Sequence, residues 1–174
     1  MISAISVRPI ETNDYKQWRP LWDGYNAFYG RHGETALPES ITQATWDRFF
    51  DPGEPVHAVV ATEGQTVVAL VHYLFHRSTT RLQDVCYLQD LFTAPSHRGR
   101  RIGQELIRAV YAAAQAEGSS RVYWTTQTTN TAGVGLFTTR SLDMPASSCT
   151  RMSCSSTSPP RLRPSPRLKL KANV

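Results

Sequence analysis

At 174 residues and 19.5 kDa, with 40% hydrophobic and 10% aromatic side chains, the chain can bury one sizeable core, with or without a tail. No apolar run approaches the ~20 residues of a membrane span. The start, MISAISVRPIETNDY, has no basic region followed by an apolar run, and Cys86, Cys149 and Cys154 form neither a metal-ligand spacing nor an even disulfide set. These features exclude a membrane protein, a disulfide scaffold and a cysteine-ligated zinc domain; no metal site is expected, and a reducing cytoplasm is the expected setting.

The net charge of +5 invites a nucleic-acid reading, but the charge is uneven. Residues 134–174 hold seven Lys/Arg against one acid, Asp143, which leaves twelve Lys/Arg against thirteen Asp/Glu in residues 1–133. The same 41 residues contain eight Ser and five Pro and show no helical or alternating period. Such a composition cannot offset the entropy of ordering, so two regions are expected: a domain over 1–133 and a basic, disordered tail over 134–174. Without interleaved aromatic residues, the tail is a poor nucleic-acid binder.

In chain order, Ile2–Arg8 alternates as a first strand. Thr12 or Asn13 caps a helix carrying Trp18, Leu21, Trp22, Tyr25 and Tyr29 at helical spacing. Ser40 caps a second helix with Trp46 and the Phe49–Phe50 pair. After the stop at Asp51-Pro-Gly-Glu-Pro55 come strands Val56–Thr62 and Thr66–Phe75, joined by a short hairpin link at Gly64. Asp84–Thr93 reads as a strand, Ile102–Ala116 as an amphipathic helix, and Arg121–Thr126 as a short aromatic strand. A helical pattern begins at Asn130 and soon fails. The order β-α-α-β-β-β-α-β-α is that of an α/β domain with both hairpins and a crossover.

Chemistry concentrates in YLQDLFTAPSHRGRRIGQEL, residues 87–106. A strand runs out at Ala94-Pro95, a basic glycine-containing loop follows, and a helix opens near Arg100. Unpartnered N–H groups and the positive helix end make such a junction an anion cradle, and Gly99 permits close approach or a positive φ. The plainer alternative is a solvated cationic loop capping a helix.

Leu91-Phe-Thr-Ala-Pro95 followed by His97-Arg-Gly-Arg-Arg-Ile-Gly103 and a helix resembles the signature of the GNAT superfamily of acetyl-CoA-dependent N-acetyltransferases, whose pattern is Gln/Arg-x-x-Gly-x-Gly/Ala. Arg121-Val-Tyr-Trp124 is similar to the strand that follows in that family, and Thr129-Asn-Thr-Ala132 to the start of its next helix. The likeness runs from the first strand to about Gly133, in a branch resembling polyamine and small-amine acetyltransferases. It implies a mixed, mainly antiparallel sheet flanked by helices, acetyl-CoA as co-substrate, and a small-molecule or peptide amine as acceptor, and it leaves a homodimer open. Arg98, Gly99, Arg100, Arg101, Ile102 and Gly103 would line the pyrophosphate loop, largely through main-chain N–H groups. Arg101 stands where many relatives have glycine. Leu91, Phe92 and Thr93 would edge the pantetheine, and Asn130 would contact the cofactor. Where polyamine-acetylating relatives have Glu-Asp, this chain has Gln89-Asp90, which leaves Asp90 as the catalytic base or amine-binding carboxylate.

Other residues have plainer readings. His72 and His76 read as strand-surface residues, Cys86 as a small buried hydrophobe, Trp18, Trp22, Tyr25 and Tyr29 as core packing, and Asp23 as solvated. After Gly133 the family expects a tyrosine-bearing helix and a closing strand pair, whereas this chain has Phe137 near the tyrosine position and then Ser, Pro and Arg. A shifted reading frame from Gly135 permits a family-like helix, glycine and apolar strand. In that frame Met144–Pro145 forces alanine and Phe137–Thr138 forces Tyr or His. We therefore expect a frameshift near Val134, with the closing strands missing or replaced. The competing functions are an impaired acyl-CoA-binding remnant and a basic-tailed nucleic-acid or partner-binding module.

Overall fold

The computed structural model describes residues 4–127, Asn130 and the backbone of residues 149–154. Six strands form one sheet in chain order: β1 (Ile5–Pro9), β2 (Val56–Glu63), β3 (Thr66–His76), β4 (Val85–Thr93), β5 (Val122–Gln127) and β6 (Cys149–Cys154). The first three pairings are antiparallel, and β4–β5 and β5–β6 are parallel. The mixed, mainly antiparallel sheet is the expected one, and element limits agree with the sequence reading to within a few residues.

Alternation along the strands builds two cores. On one face Val59, Ala61, Val71, Cys86 and Leu88 pack under α3 (Ile102–Ala116), which contributes Ile102, Leu106, Ile107, Val110 and Ala114. On the other, Ala58, Val60 and Leu70 meet α1 (Tyr15–Phe28) and α2 (Glu39–Arg48) through Trp18, Leu21, Trp22, Tyr25 and Trp46. Trp18 and Leu70 are fully buried, and burial of each such side chain is worth about 1.5–3 kcal/mol. The Arg8 guanidinium holds the buried Asp14 carboxylate through two bonds of 2.6 and 2.8 Å, tying β1 to the turn before α1. No helix among the described residues is long and apolar enough to cross a membrane.

Three features differ from the sequence reading. Neither Thr12 nor Asn13 caps α1: both lie in a short 3-10 turn, Thr12–Asp14, and Asp14 stands at the N-cap position. Ser40 does not cap α2; the helix starts two residues earlier than that cap implies, at Glu39 after Pro38, whose fixed φ presets the entry. Within the segment expected to be a disordered tail, Cys149–Cys154 runs as a strand parallel to β5, from Val122↔Cys149 to Gln127↔Cys154. The outer edge of β5 offers a row of backbone donors and acceptors that need partners, and β6 supplies them. The helix expected from Asn130 and the remainder of 134–174 lie outside the described residues.

Candidate active site

Strand β4 changes partners midway. It pairs with β5 at Cys86↔Val122, Tyr87↔Tyr123 and Leu88↔Trp124 and no further, while its pairing with β3 continues to Ala69↔Thr93. From Gln89 to Thr93 the β5-facing edge of β4 therefore has no strand beside it among the described residues. A bulge marks the divergence: His72 pairs with Asp90 and Tyr73 with Leu88, so Gln89 is the extra residue.

A cavity of 460 Å³ opens along that edge. Leu91, Phe92 and Thr93 of β4 form one side, and Trp124, Thr125 and Thr126 of β5, with Asn130, form the other. The last turns of α1 cover it with Tyr25, Phe28 and Tyr29. Helix α1 fits closely because residue 24 is glycine: a Cβ there would sit 2.9 Å from Phe92 Cζ. Asn130 donates to Thr126 Oγ1 at 3.2 Å, joining the wall of the cavity beyond β5.

At its far end the cavity meets the loop before α3, lined by Arg98, Gly99, Arg101, Ile102 and Gly103. Gly99 has φ 77° and Arg101 φ 62°, the one non-glycine residue with positive φ among those described. The amides of Gly99 to Gly103 have no acceptor among the described residues. Alternating left-handed residues beside a helix N-terminus turn successive N–H groups inward, the arrangement that receives a phosphate. The Arg98 side chain donates to the Thr93 carbonyl at 3.2 Å, and its guanidinium lies 5.5 Å from the Phe92 ring centre. Arg100 turns away from the cavity and pairs with Glu63 on β2 at 2.6 Å, and His97 Nε2 meets the same carboxylate at 3.1 Å. Arg100, then His97, hold the Glu63 carboxyl below its ordinary pKa. Thus Glu63 braces the loop against the sheet, a role invisible in sequence because the partners are 34 and 37 residues apart.

Asp90 is not in the cavity wall. It is buried, 6% exposed, on the α1 face of the sheet, where its Oδ2 lies 3.0 Å from His72 Nδ1. Tyr25, which does line the cavity, lies near enough to Asp90 that burial first and that carboxylate second raise the pKa of its phenol. His72, read from sequence as a surface residue, is 2% exposed. It is buried because Trp18 and Asp90 satisfy both ring nitrogens. The α1 aromatics do more than pack. Trp18, Trp22 and Tyr25 stack successively, at 5.8 and 5.6 Å, from the core to the cavity. Cys86 is fully buried, and burial pushes its thiol up to about 12, as suits a packing residue.

The acetyltransferase (GNAT) family model matches residues 18–142. The D-amino-acid N-acetyltransferase HPA3 of Saccharomyces cerevisiae is 32% identical over 124 residues, covering 70% of this chain and 74% of that one. Among solved structures, the aminoglycoside N-acetyltransferase AAC(6')-Iy in complex with CoA superimposes with a TM-score of 0.65 at 17% identity, covering 77% of this chain and 84% of that one. A ribosomal-protein-alanine N-acetyltransferase from Brucella melitensis biovar Abortus 2308 does so with a TM-score of 0.61 at 17% identity, covering 76% and 87%. With this match over most of its length, the chain belongs to the acetyltransferase (GNAT) family and is an acyltransferase.

Proposed function

We propose that the protein transfers the acetyl group of acetyl-CoA to the primary amino group of a small molecule, with amino acids as the first acceptor class to test. The observation that carries this reading is the parting of β4 and β5 after Leu88↔Trp124, which leaves a free strand edge leading to the amide loop at Gly99–Gly103. These residues fit acetyl-CoA. The loop amides would hold the pyrophosphate, the edge at Leu91, Phe92 and Thr93 would pair with the pantetheine amides, and Asn130 would close the other side. When bound, acetyl-CoA supplies a thioester whose carbonyl carbon accepts the amine.

In the transfer a C–N bond forms, the C–S bond breaks, and the CoA thiolate leaves as the thiol with the proton that the new amide nitrogen gives up. The negative charge developing on the carbonyl oxygen needs an N–H donor, which the bulged edge of β4 provides. The attacking ammonium must first lose a proton. Asp90 takes it through Tyr25: the phenol oxygen receives the amine proton as its own proton passes to the Asp90 carboxylate. The cavity wall contains no Asp or Glu among the described residues and is rich in Tyr, Phe and Trp, a poor match for a polycation. That supports an acceptor with one amine and an apolar or carboxylate-bearing remainder, in keeping with the yeast relative's name. Phe137, which stands in the sequence near the position of the family's tyrosine, favours a second reading in which acetyl-CoA binds and turnover is weak.

Titration calorimetry with acetyl-CoA, followed by CoA release with D- and L-amino acids, spermidine and an aminoglycoside, tests both readings. Binding with turnover on amino acids is the expected result. Binding without turnover on any amine selects the second reading, and no binding overturns both.

A further inference from the structure

The acetyl-transfer scheme above has no task for His72, yet His72 is buried with both ring nitrogens partnered. Its ring lies on the α1 face of β3. The Trp18 indole N–H donates to Nε2 at 3.0 Å, and Asp90 Oδ2 lies 3.0 Å from Nδ1. An indole nitrogen is a donor only, so Nε2 must be the unprotonated nitrogen. The proton sits on Nδ1 and is donated to Asp90. One neutral tautomer is thereby selected by two partners, 54 and 18 residues away in sequence, on α1 and β4.

His72 also stands where the β3–β4 register shifts. Side chains of a regular strand alternate, so Leu88 and Asp90 would share a face. They do not. Cys86 and Leu88 belong to the core under α3, whereas Asp90 meets His72 on the α1 side and Phe92 packs there too. The extra residue at Gln89 reverses the phase. Removing the bulge by a one-residue slip would carry Asp90 toward the apolar α3 core, away from its donor. The His72–Asp90 hydrogen bond therefore exists only in the bulged register, and it holds that register.

We propose that His72 is a positioning residue for acetyl transfer: fixed as one tautomer by Trp18, it pins Asp90 and so fixes the Gln89 bulge that opens β4 to the cavity. The inference rests on the reading of that cavity as the transfer site, which Gln89 lines. His72 touches neither substrate; it sets where the amides of β4 and the Tyr25–Asp90 pair stand. Displacements of about 1 Å at such a site cost about 100-fold in rate.

The experiment uses the 174-residue protein with His72→Leu and His72→Asn. The asparagine amide nitrogen overlays Nδ1 and keeps the donor to Asp90, whereas leucine removes it. Three readouts are taken: imidazole 15N shifts of the parent, hydrogen exchange of the amides of residues 88–91, and the split between acetyl-CoA affinity and kcat. The parent is expected to carry its His72 proton on Nδ1. His72→Leu is expected to exchange faster at 88–91 and to lose about 10- to 100-fold in kcat, with acetyl-CoA affinity within about threefold. His72→Asn restores most of the rate and the slow exchange. If no amine turns over, thioester hydrolysis by water reports on the same carbonyl.

A folded His72→Leu with parental kcat and exchange overturns the inference, as does a His72→Asn no better than the leucine variant. Should the leucine variant fail to fold, a proton on Nε2 in the parent, or fast exchange in His72→Asn, overturns it equally. A parent that binds no acetyl-CoA sinks the reading of the cavity instead; the 15N and exchange measurements still decide whether His72 holds the bulge.

Discussion

The loop before α3 contains two left-handed residues of opposite character, and exchanging their characters should move the protein in opposite directions. Gly99 has φ 77° and open space around it: a Cβ built there meets nothing within 4 Å. Gly99→Ala therefore introduces no clash, only the backbone penalty for an L-residue in that region, about 1–2 kcal/mol. If the loop holds its shape without ligand, the penalty falls on folding and lowers Tm by about 2–8 °C for a chain of this size. If the loop relaxes when empty, the penalty falls on binding and weakens acetyl-CoA about 5- to 30-fold. The two losses together should total about 1–2 kcal/mol. Arg101, at φ 62°, already bears this strain, so Arg101→Gly recovers it, less about 0.4–1 kcal/mol for the added freedom of the unfolded chain. A small net gain in Tm is expected at 101, while the lost charge at the cavity opposes any gain in affinity. Calorimetric titration and thermal melts on both variants measure every quantity. If Gly99→Ala changes neither Tm nor affinity and Arg101→Gly is clearly destabilising, the loop is not held in this conformation and the cradle is wrongly assigned.

Asp90→Asn and Tyr25→Phe should each lower turnover by about 100-fold or more while leaving acetyl-CoA affinity nearly intact; parental rates across the pH range would move the proton acceptor elsewhere. Glu63 has a depressed pKa, so its contribution is present above the ordinary glutamate range and is lost as pH falls through its lowered value. The Tm difference between the parent and Glu63→Gln should accordingly be largest near neutrality and vanish in acid; a difference that persists in acid would show that the loop gains nothing from the ion pairs. Cys86, buried with its thiol raised to about 12, should resist alkylation at pH values near 8 until the protein unfolds, as read by peptide mapping. If the segment after about Val134 is out of frame, a chain read in the shifted frame should melt higher and release CoA faster with amines than the 174-residue chain, in which β6 pairs with β5; equal behaviour would make the tail a genuine extension.

What could be read from sequence divides by the kind of group involved. The loop proposed to receive phosphate is built from main-chain amides, whose placement depends on where a strand stops, where a helix starts and which residue tolerates a positive φ. All three leave local marks, in Ala94-Pro95, Gly99 and the amphipathic run from Ile102. Arg101, which stands where many relatives have glycine, takes φ 62°, and the backbone strain sits there. The proposed amine side is built from side chains brought together by tertiary contacts, and local rules do not reach it. Tyr25 reads as one more apolar position on α1, and nothing nearby announces that it faces a carboxylate on β4. Glu63 reads as a hairpin residue, although it braces a loop more than thirty residues away. His72 reads as a surface histidine because its partners come from α1 and β4. The hardest feature to foresee is the bulge, since Gln89 is neither glycine nor otherwise unusual, and strict alternation through Leu88-Gln89-Asp90 places the carboxylate under α3. The buried hydrogen bond from His72 resolves that ambiguity. An ionised group under α3 would have no donor, and the cost of leaving it unpaired selects the register that places Asp90 beside His72. The polar pair that looked incidental in the strands is thus what specifies how the strands align, and the opening of the cavity follows from that alignment.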